Sequence, residues 1–240
     1  MLKSVAEICE MLGRWSVESK LDLVPQLRRQ NRIRTIHASL AIENNSLSEK
    51  QVSAVIEGKR VLGAPREIQE VQNAFATYEE MANWSPSNLE NLLNAHSLLM
   101  QYLANDAGEF RSGSVGVYKD KTLIHLAPPA ERVPYLMQDL LNWLDKTETH
   151  PLIASCVFHY EFEFIHPFSD GNGRMGRLWQ SLILSKWQPL LAFLPVETVV
   201  HKKQDQYYQA LGACDKAGSA NIFIEFMLDA LRIAMLETTT

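Results

Sequence analysis

Between His166 and Arg177 the chain reads HPFSDGNGRMGR, which places a histidine, a carboxylate, two backbone-exposing glycines and two arginines in one short stretch. Glycine lets backbone N–H groups come close to a bound anion, and asparagine and arginine add side-chain donors. Such a stretch can cradle phosphate. An imidazole at its entrance exchanges a proton near neutral pH, which a passive anion site has no use for. The residue types therefore point to chemistry on a phosphate-bearing substrate rather than to binding alone.

Two helices must position these groups. The apolar run from Leu152 to Ile165 reads as a buried helix, and Pro167 ends it by disfavouring helical backbone at the residue before it, so His166 sits at a helix exit. Arg174, Arg177, Leu178, Ser181, Leu182 and Ser185 recur at helical spacing, which predicts a second helix starting near Asn172 or Gly173 with its N-terminus facing the loop. Unpaired N–H groups, the positive end of the helix dipole and two arginines three residues apart all attract an anion there. Asp170 repels a phosphate unless a hard cation lies between them. Magnesium suits that place, because it takes oxygens from one carboxylate and from phosphates together.

The remaining sequence is mostly helical in its period. Ile68, Val71, Phe75, Tyr78 and Met81 repeat with helical spacing, as do Leu89, Leu92, Leu93, His96 and Met100, then Val133 to Leu144, then Ile222 to Leu231. Ser48 with Gln51 and Ser87 with Glu90 have capping-box spacing, and Gly58 can end the helix that follows Ser48. One region departs from this rhythm. Val115 and Val117 alternate, Lys119, Asp120 and Lys121 can turn, and residues 122–126 are β-compatible, which predicts a short hairpin.

Composition excludes several classes. With 240 residues, 46% hydrophobic and 21% charged, the chain buries a substantial core and is too apolar for extended disorder. A net charge of −5 argues against a nucleic-acid partner. The basic run from Arg28 to Arg34 has no interleaved aromatics and reads as a solvated helix face. Cys9, Cys156 and Cys214 form no CxxC pair and fit a reducing cytoplasm, and no export or membrane-spanning segment is expected.

The segment His166–Arg177 resembles the Fic family of the Fido fold, matching its motif HPFx(D/E)GNGRxxR at every specified position. Residues 158–162 resemble the helix before that motif, and residues 207–211 resemble a downstream family segment. The resemblance implies an all-α Fido core with a short β-hairpin flap: an N-terminal helical region over residues 1–86, the Fido domain over 87–233 and a C-terminal tail over 234–240. It implies transfer of AMP from ATP, with Mg2+, to a Ser, Thr or Tyr hydroxyl of a protein target, releasing pyrophosphate. His166 is then the general base and Asp170 the magnesium ligand. Asn172 and the backbone of Gly171, Gly173 and Arg174 face the α-phosphate, and the side chains of Arg174 and Arg177 hold the β- and γ-phosphates. Val115, Val117, Leu123 and Ile124 belong to a flap that registers an extended target by strand addition. Tyr207, Tyr208 and Asp215 are the counterparts of nucleobase-pocket residues, although a tyrosine pair at this spacing is equally a core feature.

Ser39, Glu43 and Asn44 fit a further family pattern, the inhibitory (S/T)xxxE(G/N), in its N-terminal arrangement. It implies that Glu43 makes a bidentate pair with Arg177 and takes the guanidinium from the γ-phosphate. A catalytically silent nucleotide-binding or interaction module stays open, as do removal of AMP and transfer of another phosphate-containing group. The intact GlyAsnGlyArg and second arginine favour AMP transfer from ATP. Self-modification and a homo-oligomeric state also stay open.

Overall fold

The computed structural model describes residues 1–18, 25–119 and 122–239. Helices α1 (Leu2–Glu18), α2 (Pro25–Ile42), α3 (Glu49–Ile56), α4 (Pro65–Glu80) and α5 (Leu89–Leu99) come first. Two short strands, β1 (Gly116–Lys119) and β2 (Thr122–Leu126), are followed by α6 (Val133–Lys146), α7 (Pro151–Ile165) and α8 (Asn172–Trp187). Helices α9 (Val196–Lys202), α10 (Gln204–Ala217) and α11 (Asn221–Thr239) complete the order. Helix α11 thus runs through most of residues 234–240, the stretch expected as a tail. The strands are antiparallel, with Val117 opposite His125 and Lys119 opposite Thr122, and the register slips between Val117 and Tyr118. Residues 120 and 121 of the turn, and the side chains of Val117, Leu123 and Ile124, lie outside the described residues.

Helices α7 and α8 form the centre. Helix α7 opens on Pro151, whose missing N–H costs nothing in a first turn, and the His150 ring accepts the Leu152 N–H. Helix α8 is buried on nearly all sides, including at Arg174, Arg177 and Gln180. Phe158, Phe162 and Trp179 are fully buried in one hydrophobic cluster with Ile36, Leu40, Val71 and Leu92. A second cluster gathers Ile8, Ile42, Leu152, Phe223 and Leu231. Each fully buried large side chain contributes roughly 1.5–3 kcal/mol. Both clusters draw on α2, so the helix that ends at Ile42 is anchored on α8 and α9 rather than resting on the surface.

Ser48 and Gln51 form the expected capping box, and Gly58 follows α3 with φ of +71°, the left-handed backbone glycine tolerates. Ser87 does not cap α5. Asn88 does, accepting the Asn91 N–H, while the Ser87 hydroxyl donates to Asp145. The basic run also departs from expectation: Arg32 is buried, its guanidinium 4.7 Å from the Tyr78 ring centre and 5.2 Å from that of Phe193. The aromatics missing from the local sequence arrive from α4 and from the segment before α9. Among the described residues no helix is long and apolar enough to cross a membrane.

Candidate active site

His166 lies just past α7 with φ 51° and ψ 62°, a left-handed conformation uncommon outside glycine. It turns the chain sharply from α7 into the loop, and three other side chains hold that loop in place. Asn172 donates to the Phe168 carbonyl and accepts the Phe168 N–H, both at 2.9 Å, closing the loop on itself. One of the two Nδ2 hydrogens is thus used within the loop, together with Oδ1. His96 stacks flat on Phe168 with ring centres 3.6 Å apart. Its Nδ1 accepts the Gly108 N–H, so its Nε2 carries the proton donated to the Asp170 carbonyl at 3.0 Å. Burial pushes the His96 pKa down to about 4, which keeps the ring in that neutral form. Arg111, also buried, donates from Nε to the His166 carbonyl at 2.7 Å and from Nη2 to Ile165.

Gly171 caps α8 with φ of +86°, and a Cβ there would lie 2.8 Å from Met100 Sδ. Gly171→Ala is expected to lose roughly 1–2 kcal/mol from the left-handed backbone alone, before the Met100 clash is added. Urea unfolding midpoints of the two proteins check this.

Arg177, 3% exposed, projects from the second turn of α8 towards the end of α2. Its Nε donates to Ser39 Oγ and its Nη2 to the Ser39 carbonyl, both at 3.1 Å. Nη2 also donates to Glu43 Oε1 at 2.7 Å. The bidentate pair expected from the sequence is thus a single-oxygen contact through Nη2, which Ser39 shares. Burial alone would lower the Arg177 pKa, but the Glu43 carboxylate reverses that and raises it, fixing the charge. Oε1 of Glu43 rests against Gly173, where a Cβ would collide with it, so a carboxylate already sits in the first turn of α8. Asn44 explains the last position of the Ser39–Asn44 pattern. It ends α2 with φ of 68°, and glycine and asparagine are the residues that most readily take this left-handed turn.

At the other side of α8's first turn, Asp170 Oδ1 accepts the Gly171 N–H at 2.6 Å and Arg174 Nη2 at 3.1 Å. Its Oδ2 accepts from Arg66 at 3.1 Å. Glu70 lies 3.8 Å from Arg174 and accepts from Asn45 Nδ2 at 2.9 Å. A cavity of about 150 Å³ is lined by Glu43, Glu163, His166, Gly173 and Arg177, and continues past Tyr160, Tyr207, Tyr208 and Asp215. Tyr207 is buried, with its hydroxyl 3.0 Å from His159 Nε2, so it is core as well as lining. Tyr208 is half-buried, and Asp215 accepts the Tyr160 hydroxyl at 3.0 Å.

His166, Gly173, Arg177 and Glu43 are therefore brought to one cavity, with Asp170 and Arg174 at the adjoining lip. Arg111, His96, Arg66 and Glu70 were missed by the sequence reading. Of these only His96 left a trace, as a polar residue on an otherwise apolar helical stripe.

Residues 86–184 match the model of the Fic/DOC family. The chain is 26% identical over 205 residues to the protein adenylyltransferase Fic of Drosophila mojavensis, an alignment covering 81% of this chain and 38% of that protein. It thus spans about two fifths of the length of such curated relatives. A Fic domain containing signaling protein from Bacteroides thetaiotaomicron VPI-5482 shares the fold at a TM-score of 0.80 and 19% identity, over 97% of this chain and 95% of that one. A Fic family protein from Desulfovibrio desulfuricans G20 superposes with a TM-score of 0.96 and is 61% identical, covering 99% of this chain and 73% of that one. Likeness of that degree over almost the whole length, with the motif intact, means that the chain belongs to the Fic family.

Proposed function

We propose that this protein is a self-restrained protein adenylyltransferase, which moves AMP from ATP to a Ser, Thr or Tyr hydroxyl of a target protein. The observation that carries the reading is one cavity with His166 on its wall beside Gly173 and Arg177, a proton acceptor next to an anion cradle. The target hydroxyl gives its proton to His166 while its oxygen bonds to the α-phosphorus of ATP. The bond from that phosphorus to the bridging oxygen breaks, and its electron pair leaves with pyrophosphate. Backbone N–H groups in the first turn of α8 face the charge gathering on the α-phosphate, and Arg174 and Arg177 take the β- and γ-phosphates.

Asp170 suits a magnesium ion that arrives with the nucleotide. Its half-exposed carboxylate offers a hard oxygen at the lip of the cradle, and among the described residues no cluster of three or more His, Cys, Asp or Glu forms an all-protein cage. Magnesium held there would neutralise charge on the leaving phosphates. The β1–β2 hairpin would register an extended target beside His166 through main-chain pairing, and Tyr208 and Asp215 would lie towards the nucleobase.

Glu43 supplies the restraint by holding the guanidinium that the γ-phosphate needs. A charge-assisted hydrogen bond of about 1.5–3 kcal/mol corresponds to roughly 10- to 100-fold, so Glu43→Gly is expected to raise AMP transfer by that factor. Intact-mass measurement of the wild type and Glu43→Gly chains with magnesium and ATP, alone and with candidate targets, tests both parts. Equal transfer by the two chains rules out the restraint. ATP binding by Glu43→Gly with no AMP increment on any protein favours a silent nucleotide-binding module.

A further inference from the structure

The phosphate end of the site does not stop at the family motif. Arg66, the second residue of α4, reaches across 104 residues of sequence to Asp170 Oδ2 at 3.1 Å, while Arg174 donates to Oδ1 of the same carboxylate at 3.1 Å. Two guanidiniums each hold one oxygen of a single oxyanion, an arrangement arginines also use on phosphate. Local chemistry does not account for Arg66. A cation in the first turn opposes the helix dipole, and an arginine N-terminal to its glutamate at i,i+4 is the poorer order for an ion pair. Arg66 nevertheless lies 3.5 Å from Glu70, which also sits 3.8 Å from Arg174, so Glu70 lies beside both guanidiniums. Asn45, which donates to Glu70, ties this turn of α4 to the segment that carries Glu43.

We propose that Arg66 is a third phosphate-binding arginine, serving the β- and γ-phosphates of the nucleotide from outside both the motif and the family-matched residues 86–184. The assignment rests on the nucleoside triphosphate reading of the site. The Asp170 carboxylate shows the grip that the Arg66 and Arg174 guanidiniums would offer a phosphate group. Among the described residues Arg66 is the only hydrogen-bond donor shown on Asp170 Oδ2, whereas Oδ1 takes both the Gly171 N–H and Arg174. When a cation holds Oδ2, Glu70 at 3.5 Å is the anion left beside Arg66, and the fork that held Asp170 is released to a phosphate. The 58% exposed Arg66 side chain has the freedom to make that exchange.

Calorimetric titration of the full chain with ATP and with AMP, each with magnesium and with a chelator, tests the assignment in the Glu43→Gly background. Arg66→Ala is expected to weaken ATP binding about tenfold or more in magnesium and to leave AMP, which lacks the outer phosphates, within about twofold. Arg66→Lys should recover part of the loss, as a point charge without the planar fork. Unchanged ATP affinity in Arg66→Ala overturns the assignment, and so does equal weakening of ATP and AMP, which would mark Arg66 as a structural brace. Failure of the parent to bind either nucleotide overturns the nucleotide reading itself, and Arg66's role with it.

Discussion

His166→Ala in the Glu43→Gly chain is expected to lower AMP transfer by roughly 10²–10⁴-fold, the span that a positioned general base contributes, while ATP affinity stays within about twofold. The two readouts separate because the anion donors lie on α8 and the imidazole does not. His166 belongs to the exit of α7 and meets the cavity from beside Gly173 and Arg177. Its left-handed backbone complicates the alanine variant, which carries a conformational penalty unrelated to proton transfer. His166→Asn answers that, since asparagine tolerates this backbone region but cannot act as the base. Both variants should lose transfer alike under radiolabelled ATP, with melting temperatures near the parent for the asparagine. Substantial transfer by His166→Asn would remove the general-base role and leave His166 as a turn residue.

The turn from His166 to Arg177 was legible because its demands are local. A proline after the histidine, glycine at the cap of α8 and arginines one turn apart dictate backbone and charge within twelve residues, and the structure places them accordingly. The helices were legible for a similar reason, as apolar residues at helical spacing need no knowledge of their partners. Even there the cap of α5 slipped by one residue, because Ser87 and Asn88 are both competent caps and only the contact with Asp145 takes Ser87 away. What stayed hidden is long-range. Arg32 reads as solvated until Tyr78 and Phe193 fold over it. Arg66 reads as a surface residue of α4 until Asp170 arrives. Asn172 has a second task that the motif does not reveal, since its amide also closes the loop on the Phe168 backbone.

Arg111 is the most consequential residue without a sequence signature, and Arg111→Ala is expected to cost about 3 kcal/mol or more of stability and to lower transfer by up to about 100-fold. The stability loss follows from satisfaction of buried acceptors. The last carbonyls of a helix have no partner within it, and here Arg111 supplies partners to Ile165 and His166 at 3.2 and 2.7 Å. The same guanidinium donates to the Gly113 carbonyl at 2.8 Å and to Pro128 at 2.6 Å, while the Arg111 N–H donates to the Pro167 carbonyl at 3.0 Å. A positive charge at the C-terminal end of α7 is also favoured by the helix dipole. The activity loss follows from geometry. Gly113 and Pro128 flank the β1–β2 hairpin, so one side chain ties the stem of the hairpin to the backbone of His166, and a shift of about 1 Å at a reacting group can cost two orders of magnitude. Arg111→Lys should recover little, because one ammonium cannot span carbonyls that approach a planar fork from several sides. Urea unfolding midpoints and single-turnover transfer at a temperature where both proteins remain folded give the two measurements. A folded Arg111→Ala chain within 1 kcal/mol of the parent and fully active would show that water replaces the guanidinium, and that the turn at His166 is held by Asn172 and Pro167 alone.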